Sequence, residues 1–413
     1  MNFAMQYGAL TIEMDMIATV AFACILYLIG AFIKSKVGFL QKYCIPAPVV
    51  GGFLFMFITW GGHATDTFFF HFNTALQAPF MLMFFATVGL GASLALLKKG
   101  GILLIIYWFI AGVASIIQNT IGIGMSSLLN YPAAYGLLAS SISMVGGHGA
   151  AAAYGQTFYE MGYTTGPLVG AASATFGLIA AVIVGGPVAR RLIEKHNLKP
   201  DPNETIDTSI SDINAASGEA LSNHDIFKNF TAIFICMVAG AIIATQISRW
   251  IPGNEIILPP MVGVMIASVI LRNVNGQKNR FYKFDFPLTD KIGDISLGIF
   301  LSMALMTLRI WDLAALALPL FLTLLMQVVF LVLAAYFIVF RLLGKNFDAA
   351  VMCAGLLGHG LGATPTAVVN LSAVHDRYGM SRKALLIVPI VGAFLVDIIY
   401  TPGVLWFINR FVG

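Results

Sequence analysis

The chain consists mainly of long apolar segments separated by short polar ones. Ten uninterrupted apolar runs approach or exceed the ~20 residues that a helix needs to cross a bilayer. They lie at about 14–33, 46–62, 79–97, 102–129, 167–189, 229–249, 256–271, 292–308, 313–340 and 384–408. Two further apolar segments, near 133–162 and 349–375, are interrupted by glycine clusters. The pattern predicts an all-α polytopic membrane protein, because a membrane barrel would alternate apolar and polar residues over short strands.

The composition agrees with this prediction. Hydrophobic residues make up 59% of the 413 residues and charged residues 10%, against about 45–50% and about 25% in soluble domains. Such a chain is not expected to be a soluble enzyme, a disordered chain or a nucleic-acid-binding protein. Its four cysteines stand in apolar runs without metal-ligand spacing, so they are predicted to be small core residues.

The lysines and arginines predict the orientation, because they concentrate in cytoplasmic loops. We place the N-terminus outside and let each interrupted segment enter and leave on one side. Of the 23 Lys and Arg, all but Arg249, Arg309 and Arg410 then fall in inner loops, and none falls within a predicted span. Both termini are therefore predicted to lie outside and the central polar segment inside.

The central polar segment, residues 190–228, has almost no apolar periodicity and predicts a cytoplasmic linker. The flanking halves, 1–189 and 229–413, contain similar motifs in the same order. Each half has a proline-rich segment at the start of an apolar run, near 46 and near 259. The other matched pairs are Gln118 with Gln327, Gly-His-Gly at 147–149 with Gly-His-Gly at 358–360, and Pro187 with Pro402. One half starts outside and the other inside. The halves are thus predicted to be inverted repeats of about five transmembrane helices plus one re-entrant hairpin each, as in secondary transporters.

The two interrupted segments are the main candidates for a binding site. Glycine clusters would let the chain reverse within the membrane and expose backbone to a ligand. The helices that begin after the reversals would point their N-termini at the midplane, where free N–H groups bind carboxylates. The alternative is glycine used only for close helix packing. The candidate substrate-binding residues are Ser143, Gly146, Gly147, His148, Gly149, Gly358, His359, Gly360, Gly362, Thr364 and Thr366.

The two histidines within these segments need separate consideration. His148 and His359 could each donate a hydrogen bond to a carboxylate or carry a proton. Each could equally be a histidine at a hairpin tip that is satisfied by neighbouring carbonyl groups. The sequence leaves these roles open.

Asp397 lies well inside a predicted span, and no Lys or Arg of a span is available to pair with it. A carboxylate there is costly unless it is paired, protonated or bound to a cation. Sodium is a simple compensation, with oxygen-bearing side chains as further ligands. The candidate sodium ligands are Asp397, Ser173, Asn370 and Asn119. Buried amides such as Gln118, Asn119 and Gln327 more often hold helices together than bind a ligand.

Several long motifs resemble the bacterial sodium/glutamate symporter family. They are QNTIGIGMSSLL from Gln118, GGHG from Gly146, GGPVAR from Gly185, LGATPTA from Leu361 and VPIVGAFLVD from Val388. The resemblance covers nearly the whole chain outside the linker. It implies hairpin tips at 146–149 and 358–362, and Asp397 matches the acid that follows the family's Gly-Ala-Phe.

The resemblance also implies sodium-coupled uptake of L-glutamate across a bacterial inner membrane, by a multi-pass homodimer with an elevator-type motion. Both termini would then be periplasmic. The other interpretation is a sodium- or proton-coupled symporter of another di- or tricarboxylate. A third interpretation is a gated channel, because hairpins also form pores. An enzyme is disfavoured because the sequence lacks a phosphate loop, a Gly-x-Ser-x-Gly elbow and a His-Glu-x-x-His pair. Sodium is the coupling ion on this account, and no cofactor is expected.

Overall fold

The computed structural model describes residues 2–6, 9–42, 45–91, 101–200, 222–250, 259–275, 282, 285–308 and 316–412. Its first helices are α1 (Met16–Lys36), α2 (Gly38–Lys42), α3 (Ala47–Ala64), α4 (Gln77–Gly91) and α5 (Gly101–Leu128). Then come α6 (Ala133–Leu137), a π-helical turn (Leu138–Ile142), α7 (Gly147–Glu160) and α8 (Gly166–His196). The helices after the linker are α9 (Asn223–Trp250), α10 (Pro260–Asn275), α11 (Phe286–Met306) and α12 (Ala317–Ala334), the last extended by a π turn (Ala335–Val339) and Phe340–Leu342. The chain ends with α13 (Phe347–Tyr378), α14 (Arg382–Ile390), a third π turn (Val391–Leu395) and α15 (Asp397–Phe411).

A small β-sheet corrects the expectation of a purely α-helical chain. Strand β1 (Asn2–Gln6) pairs antiparallel with β2 (Ala9–Met14), and β2 pairs parallel with β3 (Phe68–Phe72). The apolar-run analysis missed these strands because they are five or six residues long and flank longer helical runs. The sheet joins the residues before α1 to the segment between α3 and α4.

Seven of the ten predicted spans coincide with a helix of spanning length, and two others, 79–97 and 256–271, correspond to the shorter apolar helices Gln77–Gly91 and Pro260–Asn275. The eighth helix of spanning length, Phe347–Tyr378, covers the second interrupted segment. In the described part of the chain, eight helices are long and apolar enough to cross a membrane: Met16–Lys36, Ala47–Ala64, Gly101–Leu128, Gly166–His196, Asn223–Ile247, Ala317–Leu342, Phe347–Tyr378 and Arg382–Phe411. At the predicted linker, α8 runs on to His196 and ends at Asn197, whose φ of 48° is left-handed, and α9 already begins at Asn223. Residues 201–221 lie outside the described residues.

The helices pack in two groups. In group A, α3 packs on α1 and α11, α10 packs on α9 and α4, and α4 packs on α11. In group B, α8 packs on α7 and on α13, while α5 contacts α6, α12 and α15. Group A therefore contains the helices α1, α3, α4, α9, α10 and α11, and group B contains the helices that follow them in each half.

Helix α13 is long enough to cross the membrane, but it folds back on itself. Gly362 and Ala363 are non-helical in its middle. The Asn370 side chain donates to the carbonyl of Ala354 at 3.1 Å, although 16 residues of straight helix would separate them by ~24 Å. Residues 347–378 are thus a helical hairpin, hairpin 2, with its tip at Gly362–Ala363.

Residues 133–160 form a second helical hairpin, hairpin 1. The rings of Tyr135, at its start, and Tyr163, beyond its end, are 5.9 Å apart, and the Tyr135 hydroxyl donates to Thr165 Oγ1 at 3.2 Å. A straight helix of this length would hold its ends ~40 Å apart. The chain reverses at Gly146–Gly147, between the π turn and α7.

Candidate functional site

The two hairpin tips meet at a cavity of about 280 Å³ between groups A and B. A Cβ atom added to Gly147 would lie 2.9 Å from the Ala363 Cβ, so the tips are in contact. Group A contributes Pro46, Phe84, Phe85, Val88, Met261, Val262, Met265, Leu297 and Leu301 to the wall. The cavity is close to the lower end of ligand-pocket volumes, ~300–1,000 Å³, which suits a small substrate.

The tip of hairpin 1 presents a helix N-terminus to the cavity. Gly147 has φ of +63°, which glycine adopts at little cost. The N-cap residue of α7 is Gly146, which has no side chain that could cap the first N–H groups. His148 and Gly149 follow it in the cavity wall, and the His148 Nε2 lies 3.0 Å from the Thr175 hydroxyl. The first N–H groups of α7 are therefore placed to bind an anion.

The tip of hairpin 2 is strained at Ala363. Its φ of 65° and ψ of 173° lie in a region occupied almost only by glycine. Thr364 and Pro365 begin the second arm and line the cavity. A second helix N-terminus thus faces the same space, and the Thr366 hydroxyl holds the turn by donating to the Gly362 carbonyl at 2.7 Å.

Relief of this strain should be measurable as stability. We expect Ala363→Gly to stabilise the protein by ~1 kcal/mol, because strain of ~1–3 kcal/mol disappears and glycine's extra chain entropy offsets part of the gain. Thermal unfolding in detergent measures the change. Ala153→Gly, in the middle of α7, is the matched control and should lower stability by ~0.5–1 kcal/mol. Destabilisation by both variants to the same extent would contradict a strained tip.

Asp397 lines the cavity at the start of α15, directly after the π turn. Tyr154 and Tyr400 line it too. The Tyr400 hydroxyl is buried without a hydrogen-bond partner. Among the described residues that line the cavity, none is Lys or Arg. The site therefore combines two helix N-termini with an acid that no Lys or Arg of the described wall neutralises.

The structure brings some of the candidate residues together and leaves others outside the cavity wall. Those in the wall are Gly146, Gly147, His148, Gly149, Gly362, Thr364 and Asp397. Those outside it are Ser143, Gly358, His359, Gly360, Thr366, Ser173, Asn370 and Asn119. The predicted sodium ligands are thus not all gathered around Asp397, and their role stays a prediction.

Several residues outside the wall hold the hairpins in place. Ser143 donates to the Gly170 carbonyl at 3.2 Å, and Asn370 also donates to the Ala181 carbonyl at 3.1 Å, so each ties one hairpin to α8. The Asn119 Oδ1 accepts from Ser140 and Ser141 beside the π turn. Ser173 is fully buried on α8, and its hydroxyl has no hydrogen-bond partner.

The buried polar groups near hairpin 2 form a second set of supports. The His359 Nε2 lies 2.9 Å from the Tyr107 hydroxyl. Gln118 donates to the Gly360 carbonyl at 2.9 Å, and Gln327 donates to the backbone carbonyl of Gln118 at 2.9 Å. These contacts support hairpin 2 from α5 and α12.

Tyr154 and Tyr400 are among the residues of the cavity wall that the sequence analysis did not name. Tyr400 lies three residues after Asp397, so the two share a helix face, and that spacing was a usable signal. Tyr154 lies two turns after Gly147 on α7 and was hidden among apolar residues. Phe84 also lines the wall, and its ring would be 2.8 Å from a Cβ atom added to Gly149.

Apolar spanning helices and two hairpins that meet at a small cavity define a multi-pass membrane protein. The sodium/glutamate symporter family model matches residues 12–380. Proteins named sodium/glutamate symporter in Escherichia coli (strain K12) and Shigella flexneri are each 40% identical over 391 residues, 94% of this chain and 96% of theirs. The protein of that name in Haemophilus influenzae is 38% identical over 384 residues, 92% of this chain and 94% of its own. The chain belongs to the sodium/glutamate symporter family, as its motifs suggested.

Proposed function

We propose that the protein is a sodium-coupled symporter that takes L-glutamate into the cell. The observation that carries this proposal is the cavity between the hairpin tips, where two helix N-termini and the Asp397 carboxyl group share one small space. The relatives' shared name, over nearly the whole chain, supports the same function.

The cavity also supports a reason for sodium coupling. Glutamate carries two carboxylates, which the free N–H groups of the two tips can bind. The Asp397 carboxylate in the same cavity repels them, and no Lys or Arg in the described wall offsets that repulsion. A sodium ion bound at Asp397 would neutralise its charge and attract the carboxylates of glutamate. By linkage, glutamate would raise sodium affinity by the same factor as sodium raises glutamate affinity.

The chain's own groups would complete the site. The Tyr400 hydroxyl, buried and unpartnered, is available to a bound cation or to a carboxylate. The Thr175 hydroxyl donates to the Ala171 carbonyl at 2.8 Å, so it accepts from His148 Nε2. The Nδ1 of the neutral His148 ring is then an acceptor that can hydrogen-bond the substrate. The apolar wall of group A, with Phe84 and Leu297, would exclude water from the bound ligands.

The overall transport motion is an elevator on this proposal. The two groups of helices support it, because both hairpins belong to group B and the cavity lies at the boundary with group A. The matched packing within group A also supports two inverted halves, since α3 on α1 has its counterpart in α10 on α9. The homodimer stays a prediction, which the mass of the detergent-solubilised protein by light scattering would test.

Proteoliposomes test the function directly. We expect labelled L-glutamate to accumulate against its gradient when an inward sodium gradient is imposed, and to equilibrate without it. Unlabelled malate and citrate should compete weakly. Strong competition would favour a di- or tricarboxylate symporter, and accumulation driven by a proton gradient alone would favour proton coupling. Flux that neither saturates nor concentrates glutamate would point to a channel.

The orientation has its own test. From the distribution of Lys and Arg, we expect the protein to lie in the bacterial inner membrane with residue 217 in the cytoplasm and the C-terminus at 413 in the periplasm. A membrane-impermeant thiol reagent on intact cells should modify Gly413→Cys and spare Ser217→Cys. Modification of both from the same side would contradict the topology.

A further inference from the structure

A second cavity lies at the far ends of α8 and hairpin 2, away from the tips. Its volume is about 780 Å³, and Arg190, Arg191, Lys195 and Arg377 line it together with Glu194 and Tyr378. Four basic residues and one acid give the lining a formal charge of +3. The sites proposed above for glutamate and sodium do not include this cavity.

The acid in the cavity is already engaged. Arg190 Nε donates to Glu194 at 3.1 Å, and the Tyr378 hydroxyl donates to Glu194 Oε1 at 2.6 Å. The guanidinium of Arg377 is 4.0 Å from the same carboxylate, and its side chain is 58% exposed. Glu194 therefore orders the rim and leaves an excess of positive charge facing the cavity.

The surroundings identify the kind of anion. Lys195 donates to the Tyr336 hydroxyl at 3.3 Å, and Tyr336 is followed by Phe337 and Ile338, which are 49% and 57% exposed. Apolar residues exposed on a spanning helix face lipid tails. The lining of the cavity also includes the apolar residues Pro187 and Val374. Basic groups beside apolar lining residues at the end of a lipid-facing helix fit a lipid headgroup.

We propose that this basic cavity binds the phosphate group of an acidic phospholipid, such as phosphatidylglycerol. Arg191, Lys195 and Arg377 contact the phosphate, and the acyl chains lie along the exposed face at Phe337 and Ile338. The site is separate from the glutamate cavity, so the inference does not depend on which substrate is transported. The rival explanation is that the basic residues only interact with the negative C-terminal ends of the helix dipoles. In that case the cavity would show no lipid selectivity.

Native mass spectrometry of the delipidated protein in detergent tests the proposal. We expect retention of phosphatidylglycerol and not of phosphatidylcholine at the same mole fraction. The variant Arg191→Gln/Lys195→Gln/Arg377→Gln should weaken phosphatidylglycerol binding by about tenfold or more. The control variant Lys34→Gln/Arg341→Gln/Lys345→Gln removes the same charge from other predicted inner sites and should bind like the wild type. Thermal unfolding would verify that both variants are folded.

Three results would overturn the proposal. Equal retention of the two lipids by the wild-type protein needs no variant and would exclude an acidic-lipid site. Equal loss of binding in the two triple variants would indicate general attraction to charge. Displacement of phosphatidylglycerol by millimolar inorganic phosphate would assign the cavity to a free anion.

Discussion

Replacing Asp397 with asparagine should abolish sodium-driven accumulation of glutamate. Asparagine keeps the side chain's shape but removes the charge that attracts the cation in the cavity between the tips. A charged carboxylate at this depth costs several kcal/mol unless a cation binds it. We therefore expect loss of the carboxylate to lower sodium-dependent uptake by about 100-fold or more. Initial rates of glutamate uptake into proteoliposomes, measured across a range of sodium concentrations, provide the measurement.

A second acid provides the control for this variant. Asp66 is an exposed loop residue with φ of 52°, a left-handed conformation that asparagine tolerates. Asp66→Asn should leave uptake unchanged. If Asp397→Asn kept wild-type uptake with the same sodium dependence, the carboxylate would be structural or protonated, and our explanation of coupling would fail.

A valine at Gly147 should damage glutamate binding more than it damages the fold. Gly147 has φ of +63°, and its added Cβ would lie 2.9 Å from the Ala363 Cβ. Left-handed backbone costs a β-branched residue at least ~1–2 kcal/mol, and the crowding would push the tips apart. We expect the concentration of glutamate needed for half-maximal binding to rise about tenfold or more.

Two other glycines separate tip geometry from general packing. Gly124 has no atom within 4 Å of its added Cβ, so Gly124→Val should bind glutamate normally. Gly360 faces the Leu331 side chain, with 2.7 Å to its Cδ2, and lies outside the cavity wall. Gly360→Val should therefore lower thermal stability more than affinity. The same loss of affinity in all three variants would remove any special role of the Gly147 tip.

The spans could be predicted because each depends on the apolar composition of one long continuous segment. The starts of α3 and α10 follow the proline-rich motifs at 46 and 259, and the charged loops separate the helices as expected. The β-sheet could not be found this way, since its pairing of Leu10 with Phe68 joins segments that are distant in the sequence. Non-local pairing leaves little trace in a hydrophobicity pattern.

The two Gly-His-Gly motifs have the same sequence but occupy different positions in their hairpins. They are alike as letters, but the first begins the second arm of hairpin 1, while the second lies in the first arm of hairpin 2, before its tip. His148 therefore lines the cavity, whereas His359 is turned toward Tyr107. His148 comes one residue after its tip, whereas His359 comes three residues before its tip, and only the packed hairpins reveal this difference.

The most direct measurement of the central claim is the rate at which a cysteine in the cavity wall is modified. In a background lacking the four native cysteines, Ala150→Cys lies in the wall beside the tip of hairpin 1, and Ala373→Cys lies in the basic cavity at the opposite end of hairpin 2. We expect saturating glutamate with sodium to slow modification of Ala150→Cys by a membrane-impermeant reagent and to leave Ala373→Cys unaffected. Neither ligand alone should protect fully. If Ala150→Cys in an active transporter reacted at the same rate with and without both ligands, glutamate would not bind between the hairpin tips.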